Sequence, residues 1–215
     1  MIKAFARRIA VTMGAQLQAD RDRVEIFAYG LEIILGTLVQ LTLLLLLSII
    51  MDTFITTTIC LIAFASLRYY GGGAHLSTYF GCLIIGVSLL LSLGKLATKD
   101  ISLEALIATS VFALLLGVYT ILKWAPAGTE KKQIKDETTR LRQRKKALLV
   151  LTVWAVITLV LIKQELTANA FAAVLGALGS LFLITPWGYG AVKALDDILN
   201  TISRGCKRCL ESWQR

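Results

Sequence analysis

Charged residues are scarce in this chain of 215 residues: Asp, Glu, Lys and Arg make up 17% of it, whereas hydrophobic residues make up 56%. Soluble proteins average about 25% charged residues. So apolar a composition excludes a soluble globular enzyme and a disordered chain. Proline is rarer still, and Pro126 and Pro186 each stand beyond the end of an apolar run, which is typical of helix ends.

Cysteine is also infrequent. The four cysteines, Cys60, Cys82, Cys206 and Cys209, lack the regular spacing of a disulfide framework. Cys206 and Cys209 have no second cysteine pair and no neighbouring histidine to complete a zinc site, so we expect no metal and no cofactor. We interpret Cys60 as a packing residue, and Cys206 and Cys209 as incidental surface thiols.

Long apolar runs are abundant. A helix that spans about 30 Å of hydrocarbon needs roughly 20 apolar residues. The sequence has six runs close to that length, at residues 29–51, 54–67, 80–96, 101–122, 147–162 and 168–184. Helices are expected because unpaired backbone amides are costly in lipid, and residues 41–47 lack the alternation of a barrel strand. The sequence therefore predicts an all-α, multi-pass membrane protein with six transmembrane helices.

The basic residues are distributed unevenly among the connecting segments. If both termini are cytoplasmic, the inside segments are 1–28, 68–79, 123–146 and 186–215, and they hold 20 of the 23 basic residues. Cytoplasmic loops carry an excess of Lys and Arg, so this topology is favoured. It also accounts for the net charge of +9 without a nucleic-acid partner.

The predicted spans and the distribution of basic residues divide the chain into three parts. Residues 1–28 form an N-terminal segment, residues 29–185 form the six-span domain with a basic cytoplasmic loop at 123–146, and residues 186–215 form a cytoplasmic tail. In the first part, apolar residues recur at steps of three or four, at Ile2, Phe5, Ile9, Met13 and Leu17. This pattern predicts an amphipathic helix on the membrane surface, although an ordinary cytoplasmic helix would have the same pattern.

One segment, residues 68–82, departs from the pattern of a membrane span. Three consecutive glycines, Gly71, Gly72 and Gly73, are expected to end the second span. His75, the only histidine, precedes Cys82 by seven residues, and a continuous helix would separate them by about 10.5 Å along its axis. Ser77 or Thr78 could cap the third span and bend the chain between them.

Cysteine and histidine together form the minimal pair for covalent acyl transfer. A helix N-terminus and a nearby imidazolium would both favour the thiolate, which is the nucleophile. Glu32 lies one turn inside the first span, where an ionisable group is expensive and therefore a candidate functional residue. It could orient His75 or form a pair with Arg68, and the sequence does not separate these alternatives.

These residues resemble the accessory gene regulator B family, the membrane cysteine endopeptidases of Gram-positive quorum sensing. The resemblance rests on residues 68–82, on the sequence Tyr-Gly-Leu-Glu at 29–32, and on residues 124–132 after the fourth span. It implies that Cys82 is the nucleophile, that His75 is its general base and acid, and that Arg68 and Gly73 matter for activity. It further implies a homodimer in a bacterial cell membrane, with the active site on the cytoplasmic side.

The resemblance also implies a substrate. Family members act on a precursor peptide with an amphipathic N-terminal helix, a central segment containing cysteine, and an acidic C-terminal tail. We expect the backbone near Gly71–Gly73, with Arg68, to bind the oxyanion. Lys131 and Lys132 are expected to contact the acidic tail, although the basic loop could equally serve to orient the chain and contact anionic lipid. A rival function is a transporter or scaffold for a small peptide.

Overall fold

The computed structural model describes residues 2–126 and 137–213, with side chains described as far as Thr201. Over these residues the chain is helical and contains no strand, which confirms the all-α prediction. The helices are α1 (Ile2–Gln16), α2 (Arg21–Ile50), α3 (Phe54–Gly71), α4 (Tyr79–Leu96), α5 (Leu103–Trp124), α6 (Glu137–Lys163), α7 (Thr167–Ile184) and α8 (Pro186–Trp213).

Six of these helices, α2 to α7, are long and apolar enough to cross a membrane, and they follow the six predicted runs in order. The predicted multi-pass membrane fold is therefore confirmed. Helix α2 begins at Arg21, eight residues before the predicted start, because Asp20 caps it: its Oδ1 accepts the N–H of Arg23 at 3.0 Å. Helix α3 likewise continues to Gly71, past the predicted end at residue 67.

The contacts divide the chain into two compact units, Met1–Leu47 and Ser48–Arg215. In the first unit, α1 buries a stripe of small residues, Ala6, Ala10 and Gly14. Gly14 packs directly against Val24 of α2. Of the predicted stripe, Phe5, Met13 and Leu17 are exposed, Phe5 at 58% and Leu17 at 63%, whereas Ile2 and Ile9 are half-buried. This exposed stripe is what a helix lying on a membrane would present to lipid.

In the second unit, α7 is the central helix and packs most extensively against α3, with further contacts to α4, α5, α6 and α8. The α3–α7 contact depends on Gly176, because a Cβ there would lie 3.0 Å from the backbone carbonyl carbon of Cys60. Small residues allow membrane helices to approach closely, where dispersion rather than the hydrophobic effect holds them together. Cys60 is fully buried at this contact, in agreement with its interpretation as a packing residue.

A polar contact joins α6 to α7. The indole Nε1 of Trp154 donates a hydrogen bond to the backbone carbonyl of Ala173 at 2.9 Å. Trp154 is 6% exposed, so an unpaired indole N–H in this position would be costly. The bond thus allows a large aromatic side chain to fill the space beside the alanine-rich face of α7.

The C-terminal segment is a helix rather than an extended tail. Thr185 alone separates α7 from α8, and its hydroxyl accepts the N–H of Gly188 at 3.2 Å. Pro186 occupies the first position of α8, where its missing N–H costs nothing and its fixed φ suits the helix. The sequence analysis placed these residues in a tail and predicted no secondary structure for them.

We expect Gly176→Ala to destabilise the protein by about 1–3 kcal/mol, because the added methyl group would meet the rigid backbone of α3 rather than a flexible side chain. Thermal unfolding in detergent would measure the loss. Gly190→Ala is the matched control, since Gly190 is helical and has open space around its Cα. A Gly176→Ala protein as stable as wild type would contradict the packing described for α3 and α7.

Candidate active site

Glycine ends α3, as predicted. Gly72 and Gly73 adopt φ values of 73° and 131°, which residues with a side chain rarely adopt. The N–H of Gly72 donates to the carbonyl of Arg68 at 2.9 Å and completes the last turn of the helix. The chain then leaves α3 as an irregular loop of residues 74–78, with His75 near its middle.

The glycines also allow the loop to contact the end of α7. A Cβ on Gly73 would lie 2.8 Å from the carbonyl oxygen of Leu183, and one on Gly71 would lie 2.6 Å from Cδ1 of Ile184. Because the two backbones are so close, the N–H of Ala74 can donate to the Leu183 carbonyl at 3.0 Å. Gly71 and Gly73 therefore have a packing role, whatever they contribute to substrate binding.

Arg68 is the residue that connects α3 to the loop. Its Nη2 donates a hydrogen bond to the backbone carbonyl of Ala74, so the side chain folds back over the glycine turn. Its Nη1 is buried and has no hydrogen-bond partner among the described residues. An unpaired, buried donor on a charged group is costly, and a ligand oxygen would satisfy it.

Thr78 begins α4, which confirms one of the two caps considered from the sequence. Its backbone is extended, with φ −108° and ψ 140°, and its hydroxyl accepts the N–H of Gly81 at 3.2 Å. The N–H of Cys82 donates to the Thr78 carbonyl at 3.1 Å. Cys82 therefore lies at the start of α4, half-buried, where the positive end of the helix dipole acts on its sulfur.

The positive charge of Arg68 acts on both members of the predicted pair. Its guanidinium interacts electrostatically with the His75 imidazole and with the Cys82 thiol. Partial desolvation lowers the pKa of His75 below its ordinary value of about 6.5, and the charge of Arg68 lowers it further. His75 is consequently neutral at pH 7 and able to accept a proton, while its side chain is exposed on the loop.

The backbone donors predicted for an oxyanion are partly occupied. The N–H groups of Gly72 and Ala74 are both used in hydrogen bonds within the protein, to Arg68 and Leu183. Arg68 Nη1 is a buried side-chain donor that the described residues leave unpaired. The geometry thus favours the side chain of Arg68 over the amides of Gly72 and Ala74 for this role.

Glu32 is located in the other compact unit. It is half-buried on α2 and lines a shallow pocket together with Lys3 and Arg7 of α1 and Glu25 of α2. Because His75, Cys82 and Arg68 belong to the second unit, the two roles considered for Glu32 both stay predictions.

Basic residues of α6 also lie near the end of α3. The Nζ of Lys146 is 5.9 Å from the ring centroid of Tyr70, within the range of a cation–π contact. Arg142, Lys145 and Lys146 line one open groove at the start of α6. Lys131 and Lys132, predicted to contact the substrate, lie outside the described residues.

Two residues of α8 that were not predicted as site residues reach this region. The side chain of Asp196 accepts the N–H of Ser77 at 3.1 Å, and the hydroxyl of Tyr189 interacts electrostatically with Arg68. Desolvation raises the pKa of Tyr189, and the charge of Arg68 opposes the rise. The available signal was the helical spacing of Val192, Leu195 and Leu199, which would have predicted an amphipathic helix.

Comparison with known proteins decides the family. The profile of the family described as Accessory gene regulator B matches residues 6–185, which is most of the chain. The protein belongs to the accessory gene regulator B family. Its site residues from Arg68 to Cys82, and all six candidate spans, lie within the family match.

The curated relatives of this family member come from two genera. It is similar to "Putative AgrB-like protein 2" of Clostridium perfringens strain 13, with 27% identity over 72% of this chain and 74% of the relative. A "Putative AgrB-like protein" of C. perfringens strain SM101 is 23% identical over 94% of this chain and all of the relative. "Accessory gene regulator protein B" of Staphylococcus aureus strain MRSA252 is 31% identical over 60% of this chain and 67% of the relative. No solved structure matches the chain.

We expect Arg68→Gln to raise the pKa of His75, because the substitution removes a positive charge that disfavours the imidazolium form. His75 is the only histidine, so a titration followed by NMR of histidine-labelled protein reports on this residue alone. Lys193→Gln removes the same charge from an exposed position and is the control. Equal His75 titrations in wild type and Arg68→Gln would refute the electrostatic contact.

Proposed function

We propose that the protein is a membrane cysteine endopeptidase that removes the acidic C-terminal tail of a quorum-sensing precursor peptide and promotes cyclisation of the remainder to a thiolactone. One observation carries the proposal: the Thr78 cap puts Cys82 in the first turn of α4, directly after the short loop that carries His75 and that Arg68 binds at Ala74. A nucleophile, a base and a cationic donor on one short segment are the groups that acyl transfer requires. Membership of the accessory gene regulator B family supports this chemistry.

In the first step, the sulfur of Cys82 attacks the carbonyl carbon of the bond between the central segment and the tail. His75 takes the proton of the thiol and then gives it to the departing amine as the carbon–nitrogen bond breaks. The products are a thioester between Cys82 and the central segment, and a free tail with a new amino terminus. A neutral His75 at pH 7 is in the correct state to begin this sequence.

In the second step, the thiolate of the precursor's own cysteine attacks the thioester carbon. Cys82 leaves, and the peptide closes into a thiolactone ring. One thioester replaces another, so the exchange is nearly neutral in energy and no oxidant or reductant is consumed. Exclusion of water therefore matters more than driving force, because hydrolysis of the thioester would give a linear product.

Arg68 is the proposed oxyanion donor. A tetrahedral intermediate forms in each step, and its oxygen carries a negative charge that a preorganised donor stabilises. The unpaired Nη1 is buried, and the Nη2 bond to Ala74 holds the guanidinium in place. Removal of a single oxyanion donor typically costs a factor of about 100–1,000 in rate.

The basic groove at the start of α6 is the proposed contact for the acidic tail. Arg142, Lys145 and Lys146 line it, and Lys146 reaches Tyr70 in the last turn of α3, close to Arg68 in sequence. A tail bound there would extend from the scissile bond along the start of α6. We further propose that the protein acts as a homodimer in the bacterial cell membrane, with the site on the cytoplasmic side.

We expect Cys82→Ala and His75→Ala to abolish cleavage of a precursor reconstituted with the protein in vesicles, because each removes one half of the acyl-transfer pair. Gel analysis and mass spectrometry would follow the released tail. Wild type should form a covalent adduct with the central segment, and Cys82→Ala should form none.

Cys60→Ala is the matched control, since it removes a fully buried thiol that packs against α7, and it should leave cleavage intact. Full cleavage by Cys82→Ala would refute the peptidase function. Uptake of an uncut peptide into the vesicles by the same variant would support the transporter instead.

We also expect the KM for an acidic-tailed precursor to rise with ionic strength, because added salt shortens the screening length from about 10 Å at 0.1 M to about 3 Å at 1 M. A precursor whose tail carries Asn and Gln in place of Asp and Glu is the control and should show a flat salt response. Equal salt responses of the two peptides would contradict recognition of the tail by the basic groove.

A further inference from the structure

Helix α8 begins where the family match ends. The match covers residues 6–185, and α8 runs from Pro186 to Trp213. Nevertheless, α8 contacts the loop that carries His75. The contacts that α8 makes with this loop are additional to those made by the six candidate spans.

Three contacts define the side of α8 that faces the loop. Tyr189 interacts electrostatically with Arg68, and Asp196 accepts the N–H of Ser77 at 3.1 Å. One turn later, Cδ1 of Leu199 lies 3.1 Å from the position of a Cβ on Gly81. Tyr189 and Asp196 are seven residues apart, two helical turns, so both project from the same side.

Asp196 binds the loop close to its end, at Ser77. Ser77 directly precedes the Thr78 cap of α4, and His75 is two residues further back. The other end of the loop is held at Ala74 by Arg68 and by Leu183. At its far end the loop is held by the Thr78 cap of α4, and the bond from Ser77 to Asp196 is a further contact, from α8, between His75 and that cap. Without Asp196, the segment between Ala74 and Thr78 would lose this contact, and His75 could move relative to Cys82.

We infer that Asp196 is a positioning residue for the proposed peptidase: it fixes the Ser77 amide and thereby holds His75 in register with Cys82. The inference rests on the proposed function, because register between the two side chains matters only if they act together. Asp196 touches neither reacting group, so its effect should appear in kcat rather than in KM.

The test compares full-length variants in vesicles by two measurements. Hydrogen–deuterium exchange of the peptide containing Ser77 reports on the contact itself, and cleavage of the precursor reports on its consequence. Asp196→Ala should speed exchange at Ser77. It should also lower kcat by about fivefold to tenfold and leave KM unchanged, because the loss of one hydrogen bond corresponds to a factor of up to about ten in rate. Asp196→Asn keeps a side-chain oxygen that can accept the Ser77 N–H, and it should recover most of the lost rate.

Asp197→Ala is the control for charge, since it removes the same charge from the exposed neighbouring position. It should match wild type in both measurements. The inference is overturned if Asp196→Ala leaves exchange at Ser77 unchanged, if exchange rises while kcat stays at the wild-type value, or if Asp196→Asn is as slow as Asp196→Ala.

The two proposals fail in different ways. Absence of cleavage by wild type, or full cleavage by Cys82→Ala, would overturn the peptidase function and with it the role of Asp196. Cleavage that depends on Cys82 and His75 but is indifferent to Asp196→Ala would overturn only the role of Asp196.

Discussion

The region around His75 and Cys82 depends on where a single guanidinium is held. Arg68 lies in the last turn of a helix that is apolar enough to span a membrane, and a charged group there needs partners. It finds one in the carbonyl of Ala74, which it can reach because Gly72 and Gly73 turn the chain back toward it. The turn, the loop and the charge therefore form one structural arrangement.

The same charge organises the chemistry that we propose. Together with desolvation, which is the larger cause, it lowers the pKa of His75, so that the imidazole is free to accept a proton at neutral pH. It also acts on Cys82, which lies at the positive end of the α4 dipole. A cation that only neutralised a carboxylate would have its donors occupied, whereas one guanidinium nitrogen here is buried and has no partner in the part of the chain that the structure describes.

Local sequence signals were sufficient for much of this structure. Uninterrupted apolar runs predicted the six spans, and the glycines followed by Ser77 and Thr78 predicted a helix end, a loop and a new helix around His75 and Cys82. Each of these features is determined within a few residues. The early start of α2 is a smaller departure, because Asp20 provides a cap that lies outside the apolar run.

Contacts between distant segments could not be predicted in this way. Ser77 and Asp196 are 119 residues apart, and nothing in either segment alone indicates the other. The preference for Arg68 over the amides of Gly72 and Ala74 as an anion donor likewise became visible only once the hydrogen bonds of these two amides were known. The position of Glu32 relative to the loop depends on long-range packing of the same kind, and its role stays a prediction.

The connection between α7 and α8 is very short. Leu183 in the last turn of α7 binds one end of the His75 loop. Asp196, which lies about 15 Å along α8 from the start of that helix, binds the other end. Thr185 is the only residue between these two helices, and the backbone of Gly188 packs against Leu183. The two helices thus bind the loop at both of its ends. One residue inserted in this connection would rotate α8 by about 100° and move the carboxylate of Asp196 away from the loop. The length of the connection is therefore a requirement for the contact between Asp196 and Ser77.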